Sequence, residues 1–344
     1  MAKEGPGELG QKLVANMPAL TQARIGELGF QNAVRNQPLM ARGKSLRALR
    51  GQFASKGDHC IVVGAGPSLH RRKVAERLRD LRYPGTLIAT ESAMSYCLRN
   101  GLVPDLVVSL DPHAKRIVRW FGDPKLVPED LQKDDYFSRQ DMDPAFADEL
   151  RSNLQMIELL NRHGKEMRIA LATSASEAVV DRVLETGMEI YWWNPMYDDP
   201  ATPGSVTAKL QALNRMPCMN AGGNVGSACW MMADAVLGKQ HVALTGIDFS
   251  YYADTPYRST QYYRDAVDLV GEEALDSIFM RVFNPHLEAW FYTDPAYMWY
   301  RNCFMEMLRD SSCKTYNCTE GGILFGDSIT FLPLDRYVEQ MRGK

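Results

Sequence analysis

The chain lacks any marked excess of charge: 39 basic and 42 acidic side chains leave a net charge of −3 over 344 residues. A nucleic-acid binder usually carries a basic footprint, so nucleic acid is not an expected partner. No apolar run reaches the length of a membrane span. Behind Met1-Ala-Lys-Glu-Gly-Pro-Gly7 there is no apolar signal-peptide core, and the expected location is the cytoplasm. Seven cysteines, an odd number, lack the spacing of a zinc site and are expected as reduced, buried thiols. No metal ligands are assigned, and nothing repeats at solenoid spacing. Both common nucleotide fingerprints are also absent. No Gly-x-x-x-x-Gly-Lys-Ser/Thr string occurs. A dinucleotide turn needs a third glycine where Leu69 stands, and no acidic residue follows at the expected distance on a second strand.

What remains is a globular composition, 45% apolar and 24% charged, on a chain long enough for one large α/β domain with an appendage. Its most informative stretch is Cys60-Ile-Val-Val-Gly-Ala-Gly-Pro-Ser-Leu69. A β-branched segment ends in a glycine-rich turn, and a charged helical segment follows. That layout presents free backbone N–H groups and a helix dipole to an anion. Gly64 and Gly66 allow close approach of a ligand, Pro67 stiffens the turn, and Ser68 adds a hydroxyl or caps the helix. A purely structural tight turn is the alternative reading.

Residues 1–56 read as a helical N-terminal arm without a strand, with a basic stretch around Arg42–Arg50. From residue 59 the pattern alternates. Strands are expected at 60–63, 86–90, 106–110, 169–173, 189–193, 241–245 and 314–317. Helices are expected at 70–82, 92–100, 174–187 and 225–238. Such alternation predicts a mostly parallel sheet with helices on both faces, its ligand at the carboxyl ends of the strands. Residues 122–150 read as an acidic exposed insertion containing Asp134, Asp135, Asp141 and Asp143. The tyrosine-rich stretch 250–300, short of clear strands, suits a lid or acceptor-side subdomain.

Polar residues gather where these strands end. Thr90-Glu91-Ser92, Ser109-Leu-Asp111, Thr245-Gly-Ile-Asp248 and Thr319-Glu320-Gly321-Gly322 each follow a strand. Each has a structural reading as a cap or turn, but four on one edge predict a shared site. A second glycine-rich turn, Gly222-Gly223-Asn224-Val-Gly-Ser227, precedes an apolar helix. It offers backbone amides, the Asn224 amide and the Ser227 hydroxyl to a nucleotide. Close helix–sheet packing is its other reading.

These motifs resemble a family that groups MptE-like 6-hydroxymethylpterin diphosphokinases with the flagellar Maf (motility accessory factor) glycosyltransferases. The likeness rests on Gly64–Leu69, Gly101-Leu-Val-Pro-Asp105, Ser109–Asp111, Gly222–Ser227, Leu244–Tyr251 and Tyr316–Gly322, from about residue 57 to 340. It implies a Rossmann-like α/β domain over 57–340. The Gly-x-Gly-Pro-Ser turn also resembles the loop of bacterial sialyltransferases that holds the CMP part of their donor. That second likeness implies tyrosines binding the leaving phosphate, with Tyr251 and Tyr257 at the family's spacing and Tyr252 as a neighbouring substitute. It also implies a histidine base, for which His286 is the only candidate in the expected interval, although it stands early. Asp111 or Asp248 would serve instead if burial raised its pKa.

The function these resemblances imply is transfer of a nonulosonic (sialic-acid-like) sugar from a CMP-activated donor to a hydroxyl of an acceptor glycan or protein, without a cofactor. The alternative is pyrophosphoryl transfer from ATP to a hydroxymethylpterin. That reaction needs Mg2+, with Asp105, Asp111 and Asp248 as candidate ligands and Trp192, Trp193 or Tyr251 as walls for the pterin. A non-catalytic nucleotide-binding module is a third reading, and a homo-oligomer is left open.

Overall fold

All five residues of the strand His59–Val63 are buried, as befits a strand covered on both faces of a parallel sheet. Cys60 and Val62 pack to one side, with Trp193, Trp230 and Phe304. Ile61 and Val63 pack to the other, with Leu78, Tyr316 and Tyr337. The fully buried strands Thr86–Thr90 and Leu106–Ser109 repeat this alternation. The computed structural model describes residues 5–133 and 147–342. Asp134, Asp135, Asp141 and Asp143 of the acidic insertion lie outside them.

The strands are β1 (Lys44–Ser45), β2 (His59–Val63), β3 (Thr86–Thr90), β4 (Leu106–Ser109), β5 (Arg168–Ala172), β6 (Glu189–Pro195), β7 (Cys218–Met219), β8 (His241–Thr245), β9 (Tyr251–Tyr252), β10 (Met280–Asn284), β11 (Ala289–Thr293), β12 (Lys314–Asn317) and β13 (Ile329–Phe331). The main sheet is parallel, in the order β1-β6-β5-β4-β3-β2-β8-β12-β13, with β7 beside β6. From β2 the chain winds outward through β3, β4, β5 and β6. It then returns to β8 on the other side of β2 and winds outward again through β12 and β13. The order therefore reverses between β2 and β8, and a crevice opens at their carboxyl ends. This is where an open α/β sheet takes its ligand.

All seven strands expected from the sequence are present. Those that were not expected are short or belong to other regions. β1 lies within the arm read as strandless and pairs with β6, while Leu46, Leu49 and Phe53 of the same arm enter the main core. The helix Met17–Asn36 of that arm is tied across the carboxyl edge. Asn32 Nδ2 donates to the Pro112 and Ser174 carbonyls, and Asn36 Nδ2 donates to those of Thr173 and Ala175. The expected helix 70–82 is two, Ser68–Arg71 and Val74–Asp80, broken at Lys73, whose φ is 50°. The expected 225–238 is an α-helix, Val225–Met231, continuing into a π-helical turn, Met232–Val236.

The tyrosine-rich segment also has strands. β10, β11 and β9 form an antiparallel sheet, and Tyr251, Phe279 and Tyr292 pack beneath it with Leu9 and Leu13 of the arm. The helix Pro295–Met307 returns from this subdomain to the main core, where Phe304 meets Trp230 edge to face at 4.9 Å. No described helix is long and apolar enough to cross a membrane.

Candidate functional site

The crevice has two sides, built differently. On the β2–β8 side three loops are locked together. The Gly66 N–H donates to the Gly246 carbonyl at 2.8 Å, and that of Gly64 to the Thr245 carbonyl at 2.8 Å. A Cβ on Gly64 would lie 2.6 Å from the Gly246 oxygen, and one on Gly66 2.8 Å from the same atom and against the Asp248 carboxylate. These glycines therefore serve close packing of the β2 and β8 loops. The Asp248 carboxylate is almost wholly buried. It accepts bonds from the Ser68 hydroxyl at 2.8 Å and from the Ser68 N–H at 3.2 Å. It is thus a clasp between two loops. Leu69 is buried in the core beneath them.

The third loop, Thr319–Gly322, closes on the same clasp. The Thr319 hydroxyl accepts from the Ile247 N–H. Glu320 accepts from Arg77 at 2.8 Å and from the Leu334 N–H at 2.9 Å. Gly322, at φ 73°, lies against the Asp248 backbone, and a Cβ on Gly321 would meet the Tyr252 hydroxyl at 2.5 Å. Tyr252 is accordingly the tyrosine at this mouth. Burial and then the Asp248 charge push its hydroxyl up to about 12, and Arg71 lies over its ring at 4.2 Å.

Tyr251 and Tyr257 stand elsewhere. The Tyr251 hydroxyl donates to Asp294 and accepts from the Gln261 N–H. The Tyr257 ring stacks on Phe279 at 4.2 Å, and its hydroxyl donates to Asp276. Both belong to the subdomain core. His286 is also displaced from the crevice. It lies on the exposed β10–β11 turn with its ring flat on Phe331 at 4.8 Å. The structure gives it no neighbour among the strand-end carboxylates.

The β3–β4 side differs. Thr90 caps the helix Glu91–Arg99 through the Ala93 N–H, and its hydroxyl is shared with Ser92. Glu91, the first residue of that helix, is only 4% exposed, and its Oε2 has no hydrogen-bond partner. Burial, with a smaller contribution from the Asp111 charge, pushes its carboxyl up to about 8. The Ser109 hydroxyl, at the end of β4, is also buried without a partner. Asp111 accepts from the His113 N–H at 2.8 Å and pairs with His113 Nδ1 at 2.7 Å, and both side chains are partly exposed.

The wall opposite is the Gly222–Ser227 turn. Asn224 caps its own helix by accepting from the Ser227 N–H, and its amide donates to the Ser227 hydroxyl and the Gly222 carbonyl. Gly223, at φ 81°, is pressed against Trp299 and Tyr300, with a Cβ 2.8 Å from the Trp299 ring. Close packing thus explains these glycines. Tyr300 shares a 3.0 Å bond with Tyr262, and the charges of Asp294 and Asp111 add to its burial to push it up to about 12.

The carboxylates considered for Mg2+ do not assemble. Asp105 precedes β4 at the opposite, amino edge, bound to Lys56 Nζ and the Leu87 N–H. Asp248 is held by Ser68, which leaves Asp111 alone of the three. Trp192 and Trp193 are fully buried in the cores on the two sheet faces. Among the described residues, no group of three or more His, Cys, Asp or Glu is placed to hold a metal ion.

A parallel sheet with helices on both faces and a switch point between β2 and β8 defines the class: a Rossmann-like α/β protein. Residues 31–121 match the family described as 6-hydroxymethylpterin diphosphokinase MptE-like, a match that begins inside the N-terminal arm. A Treponema pallidum (strain Nichols) protein described as uncharacterized is 32% identical over 91 residues, which is 26% of this chain and 40% of that protein. The fold is similar to that of the MAf glycosyltransferase from Magnetospirillum magneticum AMB-1, with a TM-score of 0.50 and 14% identity. That similarity covers 81% of this chain and 34% of the other. The chain thus spans well under half the length of either relative. The first likeness is carried by the segment 31–121 and the second by the fold alone.

The sequence reading missed His113. Its signal is present, two residues beyond Asp111 in Asp111-Pro-His113, but the sialyltransferase likeness points to a histidine after the tyrosines.

Proposed function

We propose that the chain is a glycosyltransferase that moves a nonulosonic sugar from a CMP-activated donor to an acceptor hydroxyl on a glycan or protein. The observation that carries this reading is the Asp111–His113 pair at the carboxyl end of β4, two strands from β2 on the same edge as the switch point. An ionised aspartate only accepts hydrogen bonds, so it favours the tautomer with the proton on Nδ1. Nε2 then holds the lone pair, and His113 takes the acceptor's proton as the new glycosidic bond forms. Asp111 steadies the imidazolium that results. The bond from the anomeric carbon to phosphate breaks, and its electron pair leaves with CMP. Tyr252, whose buried hydroxyl has no hydrogen-bond partner among the described residues, stands at the mouth where that phosphate would lie. The likeness of Gly64–Leu69 to CMP-holding turns supports the choice of nucleotide.

Pyrophosphoryl transfer to a pterin is the second reading, favoured by the description of the family matched over 31–121. Against it, the carboxylates it would use for Mg2+ stand at opposite edges of the sheet or are already held. Calorimetric titration with CMP and with ATP, each with and without Mg2+, separates the two. CMP binding independent of Mg2+ is the expected result. Mg2+-dependent ATP binding with CMP silent would transfer the proposal to the pterin reaction.

A further inference from the structure

Glu91 presents an unusual combination. It stands at the carboxyl end of β3, next to the switch-point strand β2, yet it is buried with Oε2 unpartnered. The helix Val225–Met231 packs over β2, β3 and β4 from the other side. The titratable groups acting on Glu91 are Asp111, from the loop after β4, and Cys229, from that covering helix. His113 is paired to Asp111 beyond them. Cys229 is fully buried, and desolvation raises its thiol well above its ordinary value, so it stays neutral. No cation is among the influences that set the state of Glu91.

A carboxylate in this place would feel the charge of Asp111 and, under the proposed function, that of an anionic phosphate as well. Like charges at a buried site are resolved by protonation. A protonated carboxyl gains an O–H donor, the one kind of group a phosphate oxygen needs from it.

We propose that Glu91 binds the ligand as a neutral acid, its carboxyl O–H donating a hydrogen bond to an oxygen of the nucleotide's phosphate. This rests on the reading that the crevice holds a cytidine nucleotide. The proton is not transferred; it stays on Glu91 while the sugar–phosphate bond breaks, and ionising Glu91 turns attraction into repulsion. Burial, which raises the carboxyl from its ordinary range to about 8, sets where that happens. Below that value the donor is present, and above it the donor is lost.

The test is the dissociation constant for CMP between pH 7 and 9.5, a window above the second phosphate ionisation near 6. Wild-type affinity is expected to fall about tenfold or more across the window, one decade per pH unit beyond the Glu91 pKa. E91Q, whose amide donates at every pH, is expected to show a flat profile. The infrared spectrum of CMP-bound wild type at pH 7 should carry a protonated-carboxyl band that E91Q lacks. CMP binding that is flat with pH in the wild type, a slope that survives in E91Q, or a missing band would each overturn the role of Glu91 alone. If the wild type binds no CMP at any pH, the underlying reading fails, and this one with it.

Discussion

The two sides of the crevice carry the same kinds of residue and use them in opposite ways. On the β2–β8 side, the glycine amides, the Ser68 hydroxyl and the Asp248 carboxylate are consumed by one another, in contacts that leave no room for a Cβ, and the Tyr252 hydroxyl is left over at the mouth. On the β3–β4 side, Glu91 and Ser109 keep unmade bonds, and the Asp111–His113 pair is open to solvent. A polar group already satisfied by the protein has little left to offer a ligand. A buried one left unsatisfied costs stability, on the order of 1–3 kcal/mol, and calls for a compensating reason. The first side is therefore read as the scaffold and the second as the chemistry.

The sharpest way to break this contrast is H113A. Turnover of a CMP-activated donor should fall about 10²–10⁴-fold. The denaturant midpoint should move little, because the imidazole is partly exposed. A large loss of stability, or unchanged turnover, would put His113 with the scaffold. G66A probes the other side. Its Cβ must displace the Gly246 backbone oxygen, and the expected loss is about 1–3 kcal/mol in equilibrium unfolding. S68A removes the hydroxyl bond to a buried carboxylate, and about 1–3 kcal/mol is expected by the same measurement.

A smaller effect separates the crevice from the subdomain beside it. Asp294 caps the helix Pro295–Met307, and burial, opposed by bonds from the Tyr297 N–H and the Tyr251 hydroxyl, raises its carboxyl to about 7. The native state then keeps a proton that the unfolded chain releases near pH 4, so stability falls as pH rises from about 4 through 7. D294N keeps a capping side chain and removes the charge. Its Tm should exceed that of the wild type by about 2–4 °C at pH 8.5 and match it near pH 4. The smallest effect is expected for H286A, which should leave both turnover and CMP affinity unchanged. A drop in turnover would restore His286 as the base and undo the assignment of His113.

Much of the fold was legible because parallel strands covered on both faces are written as unbroken β-branched runs. β2, β3, β4 and β8 stand out for that reason. β1 and β9 did not, since two residues carry no period. β10 was hidden by Arg281 and the exposed Phe283, and β11 by the exposed Trp290. The site was legible only as a set of strand ends. Gly64, Gly66, Gly222 and Gly223 signal close approach, but a sequence does not say whether a ligand or another loop approaches. Tyr251, Tyr252 and Tyr257 could not be told apart, because alternation and one turn send them to different cores.

The amino-acid sequence by itself determined the layers and the edge at which chemistry gathers. Those follow from hydrophobic period and from glycine and proline punctuation, which are local properties. Tertiary structure alone decided which polar groups are spent and which are kept. Asp248 and Glu91 look alike in sequence, each an acid just past a buried strand. Ser68, brought in from a loop 180 positions away, satisfies the first. No described group reaches across to satisfy Oε2 of the second, and burial then sets its charge.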